Sequence, residues 1–166
     1  GLGDVYKRQL VNYADHTFGV CKKMLDDKNA IMGLGDGGAH VGFILDAGYP
    51  TWLISYWSVK KKAFSMEETV RRLTSDTASA AGLNDRGILK VGLKADINII
   101  DWENVGSSDP FMTQDLPAGG KRLMQHTKGY VTTIVSGKVT YKNGEFTKER
   151  PGTVVKSVKD EEKTLE

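Results

Sequence analysis

The chain has 166 residues, the size of one domain, and its 23 basic against 21 acidic side chains leave a formal net charge of +2. That near-balance gives no reason to expect nucleic acid or an anionic membrane as partner. Cys21 is the sole cysteine, so an internal disulfide is excluded and a reducing compartment is the default; with no apolar run of membrane-spanning length and no signal peptide, a cytoplasmic protein is expected.

No methionine opens the chain, and Gly1–Gln9 (GLGDVYKRQ) reads as a non-native leader to be set aside from fold reasoning. From Thr17 to about Lys28, Phe18, Cys21, Met24 and Leu25 fall at helical spacing, with Lys22, Lys23, Asp26 and Asp27 on the wet side. Cys21 therefore reads as a core residue rather than a nucleophile or ligand. His16, beside Asp15, reads as a polar helix-start residue.

Ala30–Leu34 is a short, unbroken apolar run bounded by turn residues, which suits a strand buried on both faces of a parallel sheet. It ends at Asp36, set between glycines. A carboxylate at the C-terminal mouth of a parallel strand is where α/β barrels carry their chemistry, and glycines there let the backbone turn sharply and bring a ligand or metal close. Three readings compete. Asp-Gly-Gly is ordinary turn chemistry. Gly33, Gly35 and Gly38 satisfy G-x-G-x-x-G, but a dinucleotide site also demands an acidic residue about twenty positions on, and Leu53–Val59 has none; that reading is rejected. The third is a hydrolytic site in which Asp36 serves a metal-bound water, with His40 facing the same cleft.

Val41–Gly48 reads as an irregular loop. Pro50 suits the first turn of a helix, with Trp52, Leu53, Tyr56, Trp57 and Val59 on its apolar face and Lys60–Lys62 as a solvated end. Ser65 with Glu68 fits a capping box opening a helix through Val70 and Leu73. Asp76 is placed to cap a short helix from Thr77 to Ala81, ended by Gly82. The character changes at Asn84. Ile97–Ile100 and Tyr130–Val135 predict strands, and Val139–Tyr141 and Glu145–Thr147 flank Asn143-Gly144, a strong hairpin turn. Asp109–Gly120 reads as a crossing loop, and residues 157–166 as a charged, frayed tail.

Several runs together resemble the amidohydrolase superfamily, in particular its N-acyl-D-amino-acid deacylase (D-aminoacylase) branch. They are Gly33–Gly42 (GLGDGGAHVG), Asp46–Thr51 (DAGYPT), Arg72–Asp76, Asp85-Arg86-Gly87 through Ala95-Asp96, and Asp115–Leu123 (DLPAGGKRL). The resemblance implies an α/β plus β fold. Residues 10–83 would be the last βα units of a (β/α)8 TIM-like barrel, and 84–156 the C-terminal strands of a small β-sandwich. It further implies that the chain is a C-terminal fragment, inactive alone, whose partner is the missing N-terminal part of its own chain.

The family's chemistry sets expectations for the site. A divalent metal, usually zinc, holds a water, and the aspartate after the eighth barrel strand moves its proton; that residue is Asp36, also a possible metal ligand. His40 faces the substrate, and Gly37 and Gly38 offer backbone contacts. Asp46 and Thr51 are weaker candidates, explained equally by loop capping. Asp85, Arg86 and Asp96 read as a structural link, and His126 as structural. The remaining metal ligands would lie upstream. The implied substrate is a small N-acyl amino acid. A cyclic-amide hydrolase of hydantoinase or dihydroorotase type, a catalytically dead scaffold, and a β-rich binding module over Asn84–Lys156 are the alternatives.

Overall fold

The computed structural model describes residues 18–33, 35, 37–38 and 45–155. The chain divides into two units, Gly1–Tyr49 with Asp109–Gln125, and Pro50–Ser108 with His126–Glu166.

In the first unit, helix α1 spans Gly19–Asp26, with Lys22 and Asp26 paired one turn apart. Phe18, Cys21 and Leu25 are half-buried on its apolar side, as their spacing predicts, but Met24 is 50% exposed. Asp27 turns to extended geometry and ends the helix, and its Oδ1 accepts the Asn29 N–H at 2.8 Å. The expected strand beyond it does not form at positions 30–33. Those residues are irregular, and Ile31 is 56% exposed. A strand exists only through a ladder to a neighbour. The described strands of this unit, β3 (Phe111–Leu116) and β4 (Gly120–Met124), pair only with each other.

That pair corrects a second expectation. The segment read as a crossing loop forms a hairpin, with β3 at Phe111–Leu116 and β4 at Gly120–Met124. Phe111 faces Met124, Met112 faces Leu123 and Thr113 faces Arg122. Pro117–Gly119 makes the turn between them. The Pro and Gly residues are punctuation between two strands, not a loop of their own. Across the hairpin, Arg122 donates from Nε and Nη2 to Asp115 at 2.7 and 2.6 Å, a two-pronged fork.

In sequence order, α2 begins at Tyr49–Trp52 and continues as a π-helix over Leu53–Lys60. The widening shows in Lys61 N–H donating to Tyr56 O at 2.8 Å, five residues back. In the second unit Leu53, Ile54 and Trp57 of this helix, with Phe64, Ala78 and Val105, form the apolar core. Trp52 is only partly covered, at 39% exposure, and stacks on Tyr56 with ring centres 4.7 Å apart.

Helix α3, Met66–Leu73, starts where the cap chemistry predicts, with the Glu68 N–H donating to Ser65 Oγ at 3.1 Å. The reciprocal half of the box is absent because Arg72 takes the Glu68 carboxylate, from Nη2 at 2.8 Å. Ser65→Ala is expected to cost about 1 kcal/mol, read as a lower urea midpoint at unchanged m-value. Helix α4 spans Ser75–Ala80, so Asp76 lies inside its first turn rather than capping it. Its carboxylate is drawn to Arg71, whose Nη1 donates at 2.6 Å. The helix closes as predicted at Gly82: Leu83 N–H reaches Ala78 O and Gly82 N–H reaches Ser79 O, the paired bonds of a Schellman end.

The second half of the unit is antiparallel. β1 (Ile97–Ile100), β6 (Tyr130–Val135), β7 (Lys138–Lys142) and β8 (Glu145–Phe146) form one sheet in the order β1-β6-β7-β8. Two of these strands have the bounds read from the sequence. β2 (Gly106–Ser107) and β5 (Thr127–Lys128) add a short separate pair. The β7–β8 turn has φ 50° at Asn143 and 84° at Gly144, the two left-handed residues that an Asn-Gly hairpin requires. β1 and β8 are edge strands among the described residues.

Candidate active site

Asp36 and His40, the residues on which the sequence reading centres, lie outside the described residues, as does His16. Their described neighbours show how the turn is built. A methyl on Gly35 would stand 2.9 Å from Asp46 Oδ1 and 3.0 Å from the Asp46 carbonyl oxygen. One on Gly37 would stand 2.8 Å from Ala47 Cβ and 3.1 Å from Ala47 N. Both glycines are thus required by close approach: the turn folds back on Asp46-Ala47 with no room for a side chain between. Gly38 is glycine for another reason, a φ of 92° with open space around it. Asp46 is exposed, and its carbonyl accepts the Tyr49 N–H at 3.0 Å as α2 begins. In sequence, only the spacing of the glycines hinted at this contact; which residues they meet was not legible.

The weaker candidates separate. Thr51 is 4% exposed, and its hydroxyl shares a 2.8 Å hydrogen bond with the Tyr130 hydroxyl, so it ties α2 to β6 and caps no loop. Arg86 donates from Nε and Nη2 to Asp85 at 2.8 and 3.1 Å, and from Nη1 to Asp96 at 3.1 Å. Asp96 in turn accepts the Ser136 N–H at 2.8 Å and so holds the β6–β7 turn. This is a structural link of the kind the sequence reading expected. His126 N–H donates to Ser108 Oγ at 3.1 Å while its carbonyl accepts the Ser108 N–H, extending the β2–β5 ladder. Cys21 is half-buried in α1.

The two arginine forks also set a pH dependence. Hydrogen bonds from Arg86 hold the Asp85 carboxyl below its ordinary value, and those from Arg122 do the same to Asp115. A depressed carboxylate contributes stability that is complete above its unfolded pKa of about 3.9 and is lost as pH falls through the lower folded value. Thermal stability is therefore expected to be flat from about pH 8 to 5 and to fall below about pH 4. Arg122→Gln should make that fall shallower, by a small amount because the pair is exposed to water.

Among the described residues, no group of three or more His, Cys, Asp or Glu side chains could hold a metal ion. A zinc centre takes at least three protein ligands. The described residues alone do not fit one, and no step through a metal follows from them.

Compared with known proteins, residues 4–141 match the model of the amidohydrolase family. The chain belongs to the amidohydrolase family. The matched span includes Asp36, His40, the glycine turn and both arginine forks. Similar proteins include a dihydroorotase of Lactobacillus acidophilus, 34% identical over 89 residues, which are 51% of this chain and 20% of that enzyme. A dihydroorotase of Lactobacillus johnsonii is 33% identical over 89 residues, with the same shares of each chain. The matched stretch spans about a fifth of the length of these curated relatives. No solved structure matches the chain significantly. Among the described residues, no helix of this amidohydrolase-family chain is long and apolar enough to cross a membrane.

Proposed function

We propose that the full-length protein carrying this chain is a metal-dependent hydrolase of carbon–nitrogen bonds in amides, with Asp36 as its proton carrier. The observation that carries the reading is the family match over 4–141, which encloses the Gly33–Gly42 run. In this reading residues 10–83 close a (β/α)8 barrel and 84–156 complete a β-sandwich with strands from elsewhere in the protein. The metal, zinc by resemblance, would activate water and polarise the carbonyl when bound. Asp36 takes a proton from the attacking water and returns it to the departing nitrogen. A carboxylate suits both tasks because it is a base when ionised and an acid once loaded. His40 faces the acyl or carboxylate end of the substrate, and Gly37 and Gly38 present backbone to it.

For the substrate, the Gly33–Gly42 and Asp115–Leu123 runs support N-acyl-D-amino acids. The dihydroorotase relatives support a cyclic amide instead. Both substrates are amides of amino acids, and the same acid–base group serves either. The test is to assay the full-length, metal-loaded protein side by side on N-acyl-D-amino acids, hydantoins and dihydropyrimidines. Release of free amino acid from the first set is expected. Ring opening alone would transfer the reading to the cyclic class, and inertness toward all three would overturn it.

A further inference from the structure

One charged face of α2 is left unneutralised at its C-terminal end. Trp52 and Tyr56 stack along it with ring planes 5° apart, and Lys60 Nζ and Lys61 Nζ lie 5.9 and 5.6 Å from the centre of the Tyr56 ring. In an α-helix, at about 3.6 residues per turn, a side chain five places on points away from the first. The π-helix, with its five-residue bonds, instead brings both ammonium groups to one ring. Lys62 follows at φ 52°, the left-handed position past a helix end that glycine commonly takes, and holds it at a backbone cost. Its N–H reaches Ser58 O and the Ala63 N–H reaches Trp57 O, which closes the helix there. The three consecutive lysines are exposed, and none pairs with a carboxylate among the described residues. Two ammonium groups held at one ring repel each other, and an anion from outside relieves that repulsion.

We propose that this face, built from Trp52, Tyr56 and Lys60–Lys62, docks an acidic peptide segment of a separate partner protein. Its carboxylates bridge the lysines, and the Tyr56 ring holds Lys60 and Lys61 ready for them. The chemistry of the face selects that class of partner. A helix that lies in a membrane surface needs an exposed apolar side, but Leu53, Ile54 and Trp57 are buried in the core. Single-stranded nucleic acid is held by bases stacking on successive open rings, whereas the Trp52 and Tyr56 rings stack on each other. Clustered carboxylates need only the lysines. The proposal is independent of the hydrolase reading.

The experiment titrates the full-length protein into labelled poly-L-glutamate, single-stranded DNA and phosphatidylserine vesicles, side by side at low salt. Saturable binding to the acidic peptide is expected, weakening as salt is added. Lys60→Gln with Lys61→Gln is expected to weaken it about fivefold, the scale of two exposed charge contacts. Lys142→Gln with Lys148→Gln removes the same charge at other exposed positions and is expected to weaken it by less than about twofold. Tyr56→Leu keeps every charge but frees both ammonium groups, and a loss of about threefold is expected. Absence of peptide binding, equal losses in the two lysine pairs, or undiminished binding in Tyr56→Leu overturns the proposal. Tighter binding of the DNA or the vesicles than of the peptide overturns it in favour of that partner. Binding that appears only after residues 157–166 are removed places the chain's own acidic run, Asp160-Glu161-Glu162, on the face and overturns the separate partner.

Discussion

In the full-length protein, Asp36→Asn is expected to lower kcat by about 10²–10⁴-fold, about 3–5 kcal/mol of barrier, while KM changes little. Asparagine keeps the size and most of the hydrogen-bonding capacity of the side chain, so substrate binding survives. What is lost is the ability to accept a proton from water and deliver it to a leaving nitrogen. Steady-state kinetics on whichever amide class the protein takes would measure this. An Asp36→Asn enzyme with wild-type kcat would show that the proton moves through another group, and the proposed function would need a different acid–base residue. A loss confined to KM would make Asp36 a binding residue instead.

The largest expected effect on stability lies at Gly129, between β5 and β6. Its φ is 87°, and a methyl there would stand 2.6 Å from Val105 Cα and 2.9 Å from Val105 N. Those are backbone atoms of a buried residue and have nowhere to go. Gly129 also accepts the Asp101 N–H at 2.7 Å, so moving it breaks the approach to β1 as well. The left-handed backbone costs an alanine about 1–2 kcal/mol, and overpacking commonly adds about 1–3 kcal/mol. Gly129→Ala should therefore lower the unfolding free energy by about 2–5 kcal/mol. Gly144→Ala is the control, with φ 84° and no atom within 4 Å, so only the backbone cost applies. Urea midpoints that fall equally in the two variants would show that the packing at Val105 carries no weight.

What the sequence by itself determined is whatever neighbouring residues decide between themselves. Ser65, immediately before the helical run, supplied the start of α3 through one side-chain bond across three residues. Gly82 ended α4 through bonds spanning no more than five residues. Asn143-Gly144 dictated its own turn, and the β-branched runs Ile97–Ile100 and Tyr130–Val135 became strands with the bounds they were read to have. The family, too, was legible in the linear spacing of short motifs. The tertiary structure alone decided where distant segments met. Phe111–Leu116 became a strand because Gly120–Met124 folded back on it, whereas Ala30–Gly33, apolar enough for a buried strand, found no partner among the described residues. Gly35 met Asp46 and Gly37 met Ala47 across ten or eleven residues of chain. The physical reason is the reach of each interaction. Caps and turns are satisfied within a few residues, so composition encodes them, but a ladder or a close backbone contact needs a partner whose arrival no local pattern records.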